Sequence, residues 1–191
     1  MPTAVFAQDR GASEETGDIV VTAQRRGENL QDVPISITAV SEATLEKQGV
    51  KSIADITRIV PGVELNIAGN NRTAVSIRGI RATSGSSTTG IYLDDVAIQS
   101  RIQGYGGGNT YPRVFDLERI EALRGPQATL FGAGSQGGTI RFISPAPSFT
   151  DYSGMARAEI ATTQYGAMSY EAGAAVGGPI LTDKLAARGS I

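Results

Sequence analysis

The sequence predicts an α+β domain, made of a small mixed sheet with short helices and long loops, followed by the start of an antiparallel transmembrane β-barrel. First, short runs of alternating apolar and polar residues, typical of strands, recur through the first 147 residues. Second, 24 of the 191 residues are glycine, which favours closely packed backbone and loops over a helical bundle. Third, the alternation after residue 147 continues for about ten residues at a time, the length of a membrane-spanning strand.

The first regular pattern predicts a strand and two short helices. Residues 33–40 alternate with a period of two and predict a strand that begins near a proline, where a missing N–H donor is tolerated. Ser41 can cap a helix that runs to Gln48, and the glycine after it ends that helix. Ser52 and Asp55 have the spacing of a capping box and predict a second helix, whose isoleucines face the core.

Four strands are predicted in the middle of the chain. Residues 63–67 and 75–80 form two alternating runs. Residues 91–98 predict a strand, a tight turn at Asp94 and Asp95, and a second strand, with a positive φ tolerated at Asp95. A metal site at these two carboxylates is disfavoured, because neighbouring side chains on a turn point in different directions.

The longest ordered pattern predicts strand, turn, helix, loop and strand in succession. Residues 120–124 alternate apolar and charged side chains, as a half-buried strand does. Pro126 suits a first helical position, so residues 127–131 predict one or two helical turns. A glycine-rich loop follows over 132–138, and residues 139–143 predict the next strand.

The composition excludes several classes of function. The chain has no cysteine and no histidine, which excludes disulfides, thiolate sites and Ser–His or Cys–His nucleophiles. A net charge of −2 provides no basic field for nucleic acid. Residues 132–137 fit G-x-G-x-x-G, but a dinucleotide site has a strand before the motif and a helix after it, so a packing loop is predicted. We therefore expect no catalytic residue, no cofactor and no metal.

The segment 120–140, I-E-A-L-R-G-P-Q-A-T-L-F-G-A-G-S-Q-G-G-T-I, resembles the signature of the plug domain of TonB-dependent outer-membrane receptors. V-P-G-V at 60–63 and I-R-G at 77–79 are similar to the same family. The mild departures from the family pattern are Ala122, Phe131, Ser135, Gln136, Arg141 and Phe142. The resemblance implies a plug domain over 33–147 and the first barrel strands of a truncated receptor over 148–191.

A short β-prone island, D-I-V-V-T-A, follows a leader over residues 1–17. The start of this leader resembles the end of a secretory signal, and an ordinary disordered N-terminus fits the same residues equally well. From its residues alone, the island either joins the edge of a partner's sheet or forms the domain's first strand, with Ile19 and Val21 facing one side. At this distance before a plug it resembles a TonB box, which implies binding to the C-terminal domain of TonB. The box residues are Asp18, Ile19, Val20, Val21, Thr22 and Ala23. Box and linker together span 18–32, and the polar residues 24–32 are expected to be solvated.

Arg78 and Arg124 each end an apolar strand beside a glycine that permits close approach. A buried guanidinium needs a carboxylate partner, and the alternative is two exposed strand-end arginines. The resemblance implies that both arginines meet glutamates on the barrel wall and fasten plug to barrel. It also implies ligand contacts from two loops, at 81–90 and 99–110. Their candidate residues are Arg81, Ser84, Arg101 and Tyr105.

The resemblance implies energy-coupled uptake of a scarce solute across the outer membrane, with the plug facing the periplasm and no enzymatic step. TonB, energised by ExbB and ExbD and the inner-membrane proton gradient, would pull on the box. A ferric siderophore is the commonest ligand in this family, with vitamin B12, sugars and other compounds as alternatives. The residues themselves leave a soluble periplasmic adaptor open as a function of another class, and an enzyme ranks third.

Overall fold

The computed structural model describes residues 19–68, 72–81, 87–98, 111–162 and 166–191. In chain order, the strands are β1 (Val20–Val21), β2 (Glu28–Asn29), β3 (Ser36–Ser41), β4 (Val63–Ala68), β5 (Arg72–Ile77), β6 (Thr89–Leu93), β7 (Val96–Ala97), β8 (Arg119–Arg124), β9 (Gly138–Ile143), β10 (Ser153–Thr162), β11 (Met168–Leu181) and β12 (Leu185–Ser190). The helices are α1 (Glu42–Lys47), α2 (Ile53–Ile59) and α3 (Ala128–Phe131). No helix within the described ranges is long and apolar enough to cross a membrane.

A five-stranded mixed sheet forms the centre of the domain, in the order β3-β8-β9-β6-β7. β6 and β9 run parallel, and the other neighbouring strands are antiparallel. Side chains from α1, α2 and the hairpin β4–β5 pack against one face of this sheet, where Ile56, Ile77, Ile120 and Phe142 belong to one core cluster. The mixed sheet with short helices confirms the predicted fold class.

Strands β8 and β9 are buried on both faces. Ile120 faces the core cluster under α2, whereas Leu123 packs in a second cluster on the opposite face. Glu121, between them, is 0% exposed. The predicted strand over 120–124 is confirmed, but its predicted half-burial was wrong, because the charged positions of the alternation face a polar interior instead of water.

The helices lie where the sequence predicts them, with corrections at two starts. The Asp55 carboxylate accepts hydrogen bonds from the Ser52 N–H at 3.1 Å and from its hydroxyl at 2.9 Å, so α2 opens as expected. Ser41 precedes α1, but its hydroxyl bonds that of Thr44 at 3.1 Å and makes no cap to the helix backbone. Pro126 lies outside α3, which begins at residue 128, so Pro126 is not the first helical residue.

Two strands have different boundaries from those predicted. β3 begins at Ser36, not at residue 33, because Ser36 pairs with Arg124 at the end of β8 and Gly125 then turns away with φ of 104°. β5 ends at Ile77, not at residue 80, because Arg78 has φ of 54° and leaves the extended conformation. In both cases a backbone turn sets the end of the strand.

The turn between β6 and β7 places its positive φ of 52° at Asp94, whereas the sequence pointed to Asp95. The Asp94 carboxylate accepts hydrogen bonds from the N–H and the hydroxyl of Ser144, each at 2.9 Å, which holds this turn against the end of β9. The turn itself is confirmed.

Strands β10, β11 and β12 form a separate antiparallel sheet. β11 runs through Gly177, Gly178 and Pro179 without interruption, and the turn lies at 182–184. Ile160 and Tyr170 are 74% and 87% exposed on one face of this sheet. Four ion pairs among the described residues join the other face to the domain. They are Lys51–Glu159, Glu46–Arg157 at 3.7 Å, Arg113–Glu171 at 3.3 Å and Asp116–Arg188.

Candidate functional site

The predicted box folds back on its own linker as a two-stranded unit, which we call the box hairpin (residues 19–30). β1 pairs antiparallel with β2, and the N–H of Arg25 donates to the Thr22 carbonyl at 2.9 Å in the turn. Arg25 has φ of 59°, which closes this turn. Residues 24–32 are all exposed or half-buried, as expected for a solvated segment, but they also contain β2, the partner strand of β1, which was not predicted. Asp18 lies outside the described residues.

Apolar side chains dock the box hairpin on the face of the central sheet opposite α1 and α2. Val21 and Ala23 are both 0% exposed and pack in a cluster with Phe131 of α3. Ile19 packs against the same cluster, as predicted for side chains that alternate with a period of two. Val20 points away and is 49% exposed. Burial of a valine side chain such as that of Val21 contributes about 1.5–3 kcal/mol.

Thr22 is held by three charged side chains of β8 and β9, which we call the Glu121 clamp (Glu121, Arg119 and Arg141). The Thr22 N–H donates to Glu121 Oε1 at 2.9 Å. Arg141 Nη1 donates to both the carbonyl oxygen and Oγ1 of Thr22, each at 2.8 Å. Arg119 Nη2 donates to Thr22 Oγ1 at 3.3 Å. The clamp therefore binds the main chain and the hydroxyl of one box residue at once.

The charges of the Glu121 clamp are balanced inside the protein. Glu121 Oε1 lies 2.9 Å from Arg119 Nε, and Oε2 lies 2.7 Å from Arg141 Nη1. The two arginines carry one more charge than Glu121, and two further acids offset this excess. Arg119 also pairs with Glu118, and Arg141 Nη2 lies 3.2 Å from Asp95 Oδ1. Because a buried carboxylate is tolerated only when it is paired and hydrogen-bonded, this balance explains how Glu121 sits in a central strand.

Helix α3 is joined to both the box hairpin and the clamp through Phe131. The Tyr92 ring meets the Phe131 ring edge to face, with centroids 5.3 Å apart, and the Tyr92 hydroxyl donates to the Phe131 carbonyl. The guanidinium carbons of Arg25 and Arg141 lie 5.9 Å and 5.6 Å from the Phe131 ring centroid. Cation–π contacts at these distances add to the docking of the box hairpin.

Arg78 and Arg124 lie close together at a different end of the domain. Arg124 is half-buried, and its guanidinium donates to Thr38 Oγ1 at 2.9 Å and to the Pro61 carbonyl at 3.3 Å. Arg78 is exposed, and its Nη1 lies 3.6 Å from where a Cβ on Gly125 would lie. Neither has an ion-pair partner among the described residues. Exposure was expected as the alternative for both arginines, and it holds for Arg78.

The predicted ligand-contact residues fall mostly outside the described part of the chain. Ser84, Arg101 and Tyr105 lie outside it. Arg81 is exposed, and its Nη1 donates to Asn66 Oδ1 at 3.3 Å. Within the described ranges, no three acidic side chains are placed to hold a metal ion.

The Glu121 clamp was missed from the sequence, although two signals pointed to it. Acidic and basic residues occupy strand positions between apolar ones at Arg119, Glu121 and Arg141. Arg141 is also a departure from the signature pattern. A charged side chain in a strand that is buried on both faces must have a charged partner, and the pairing follows from that requirement.

Comparison with known proteins gives a consistent result. Residues 29–139 match the family described as the TonB-dependent receptor plug domain. The iron-regulated outer membrane virulence protein of Vibrio cholerae is 35% identical over 147 residues, 74% of this chain and 22% of that protein. The vitamin B12 transporter of Vibrio vulnificus is 35% identical over 127 residues, 66% of this chain and 20% of that protein.

Among solved structures, the pyoverdine outer membrane receptor of Pseudomonas aeruginosa bound to pyoverdine matches with a TM-score of 0.72 and 25% identity. The match covers 93% of this chain and 25% of the receptor, and it therefore extends into the sheet of β10–β12. The chain spans about 22% of the length of the curated relative from Vibrio cholerae.

Proposed function

Because the chain belongs to the family of TonB-dependent receptors through their plug domain, we propose that it is the energy-coupled plug of a receptor that takes up a scarce solute. The protein is placed in the outer membrane, where its relatives are receptors. The observation that carries the proposal is the docked box hairpin. A short β-strand with buried Val21 and Ala23 is held on the plug by apolar packing and by hydrogen bonds to Thr22.

The proposed coupling step is strand addition to the C-terminal domain of TonB by residues 18–23. In the docked state, β1 is paired with β2, and Thr22 is bound by the Glu121 clamp. TonB can therefore pair with the box only after the hairpin leaves the plug, and solute binding on the outer side is the proposed trigger. ExbB, ExbD and the proton gradient would supply the pulling force. The plug faces the periplasm in this scheme.

Two further elements belong to the proposal. Arg78 and Arg124 fasten the plug to carboxylates of the barrel wall, which is supported by their proximity and their lack of an ion-pair partner among the described residues. The loops that carry Arg81, Ser84, Arg101 and Tyr105 contact the solute. We assign residues 1–17 to the leader, 33–147 to the plug and 148–191 to the first strands of the barrel.

A ferric siderophore is the proposed solute. Two relatives support this choice, since one is an iron-regulated outer membrane protein and another is a pyoverdine receptor. Vitamin B12 is the alternative, because a B12 transporter is 35% identical to the chain. Competing uptake of ferric siderophores and cyanocobalamin by cells that express the full receptor distinguishes the two. The soluble adaptor is not retained, since the structural match to a receptor extends into the C-terminal sheet.

The test of energy coupling is binding of purified TonB C-terminal domain to the Val20→Pro variant. Proline removes the backbone N–H donor of β1 and fits poorly in an added strand, so the affinity should fall at least about tenfold. Val20→Thr is the matched control, because it keeps the N–H and the β-branched shape at an exposed position. Equal affinities of the proline and threonine variants would contradict strand addition at this box.

A further inference from the structure

We propose that Thr22 is the docking residue of the box: the Glu121 clamp holds the box on the plug through Thr22, and it sets how often the box is free. This role of Thr22 deepens the proposed function. It rests on that function only for the identity of the partner that captures the free box. The clamp residues Glu121 and Arg141 act as positioning residues, since they hold β1 and do not contact TonB in this scheme.

The clamp selects a hydroxyl at position 22. Thr22 Oγ1 accepts from Arg141 Nη1 at 2.8 Å and from Arg119 Nη2 at 3.3 Å, and it donates to Glu121 Oε1 at 3.4 Å. An atom that accepts from two cations and donates to a carboxylate must be a hydroxyl oxygen. Val21 and Ala23 contribute apolar contacts, which are not directional and would hold many sequences. Selectivity for this box therefore lies in Thr22.

Release of the box does not strand a buried charge. Glu121 keeps both guanidinium partners when Thr22 leaves, Arg119 keeps Glu118, and Arg141 keeps Asp95. An open groove beside the hairpin is lined by Thr22, Arg119 and Arg141, so water can replace the lost hydrogen bonds. Undocking costs hydrogen bonds to charged groups, but it does not leave a buried ion unpaired, and this makes the contact reversible.

The clamp and TonB both use main-chain groups of the box, but only the clamp needs the Thr22 hydroxyl. Strand addition takes its affinity from main-chain N–H and C=O groups, whereas the clamp also needs the Thr22 hydroxyl. Replacement of the hydroxyl by a methyl group therefore weakens docking and leaves the strand-forming capacity intact. The affinity for TonB should rise, because the fraction of chains with a free box rises.

The test uses a thiol introduced by Val21→Cys, which is the only thiol within these 191 residues and is shielded when the box is docked; its alkylation is read on the peptide that contains residue 21. Alkylation of this thiol is followed in the full chain in isolated outer membranes. In the Val21→Cys background, Thr22→Val should be alkylated about ten to a hundred times faster, as expected for lost hydrogen bonds to charged groups. Thr22→Ser keeps the hydroxyl and should return the rate to within about threefold of the parent.

Thr57→Val on α2 is the matched control, because it removes a threonine hydroxyl whose hydrogen bond within the described residues is local, to the Ala54 carbonyl at 2.7 Å. It should leave alkylation unchanged. Glu121→Gln removes the charge of the clamp and should also accelerate alkylation. If Glu121→Gln fails to insert in the membrane, the comparison of Thr22→Val with Thr22→Ser decides alone.

The inference is overturned if Thr22→Val is alkylated no faster than the parent, or if Thr22→Ser is as fast as Thr22→Val. Binding of the TonB C-terminal domain to the same variants separates this result from the proposed function. Faster alkylation with tighter TonB binding supports both. Faster alkylation with no TonB binding in any variant supports the clamp and overturns the coupling partner.

Discussion

Gly138 is the position where a single methyl group should disrupt the centre of the plug. A Cβ built on Gly138 would lie 2.2 Å from the Leu123 carbonyl oxygen and 2.8 Å from the Ile77 side chain. The carbonyl belongs to the backbone of β8 and has no rotamer to move into. Gly138 also has φ of 148°, a backbone conformation that residues other than glycine rarely adopt. Gly138→Ala must therefore push β9 away from β8.

The expected cost follows from these two effects. A strained backbone conformation contributes about 1–3 kcal/mol. Steric overlap in a packed interior contributes a further ~1–3 kcal/mol. The sum of about 2–6 kcal/mol corresponds to opening of β8 and β9 that is at least about thirtyfold more frequent, at 1.4 kcal/mol for each factor of ten. Gly49→Ala is the matched control, because Gly49 also has a positive φ but has no atom within 4 Å of a built Cβ.

Hydrogen–deuterium exchange of the full chain, resolved to peptides that cover β8 and β9, measures this opening. Gly138→Ala should accelerate exchange in both strands and in the box hairpin, because Glu121 and Arg141 are direct cross-strand partners in the register that Gly138 permits. Gly49→Ala should affect only the end of α1. Exchange in β8 that is no faster in Gly138→Ala than in Gly49→Ala would refute the steric argument.

Two other predictions concern single contacts. Hydrogen bonds from Ser52 and then from the Lys51 N–H hold the pKa of Asp55 below its ordinary value of 3.8; this contribution is complete above pH 3.8 and is lost as the pH falls through the lower folded value. Asp55→Asn should therefore make the plug's free energy of unfolding fall less steeply as the pH drops below 3.8, and an unchanged decrease would contradict this prediction. Tyr92→Phe removes the hydroxyl that donates to the buried Phe131 carbonyl, and a denaturant titration should show about 1–3 kcal/mol lower stability. A loss below about 0.5 kcal/mol would mean that the carbonyl finds another partner.

Local signals in the sequence predicted local structure well. The pattern of Ser52 and Asp55 predicts the start of α2 because both partners of the capping interaction lie within one helical turn. The glycines over 132–138 predict a loop between a helix and a strand, and the structure has α3 and β9 in that order. In these cases the information and its consequence are a few residues apart.

The Glu121 clamp depends on contacts that no local pattern contains. Thr22 and Glu121 are 99 residues apart in the chain, and Thr22 and Arg141 are 119 apart. Period-two alternation in β8 shows that its faces differ, but it does not show whether the charged face meets water or a polar interior. That distinction is made by the box hairpin, which covers this face from a distant part of the sequence. The burial of Glu121 was mispredicted for this reason.

The strands that carry the family signature perform two tasks on their two faces. On one face, Ile120 and Phe142 build the core under α2. On the other face, Glu121 and Arg141 bind Thr22. Because side chains alternate along a strand, a shift of one residue between β8 and β9 would exchange these faces and destroy both sites. The close approach at Gly138 therefore serves docking of the box hairpin as directly as it serves packing, and a change in that register should free the box hairpin without any change in its own residues.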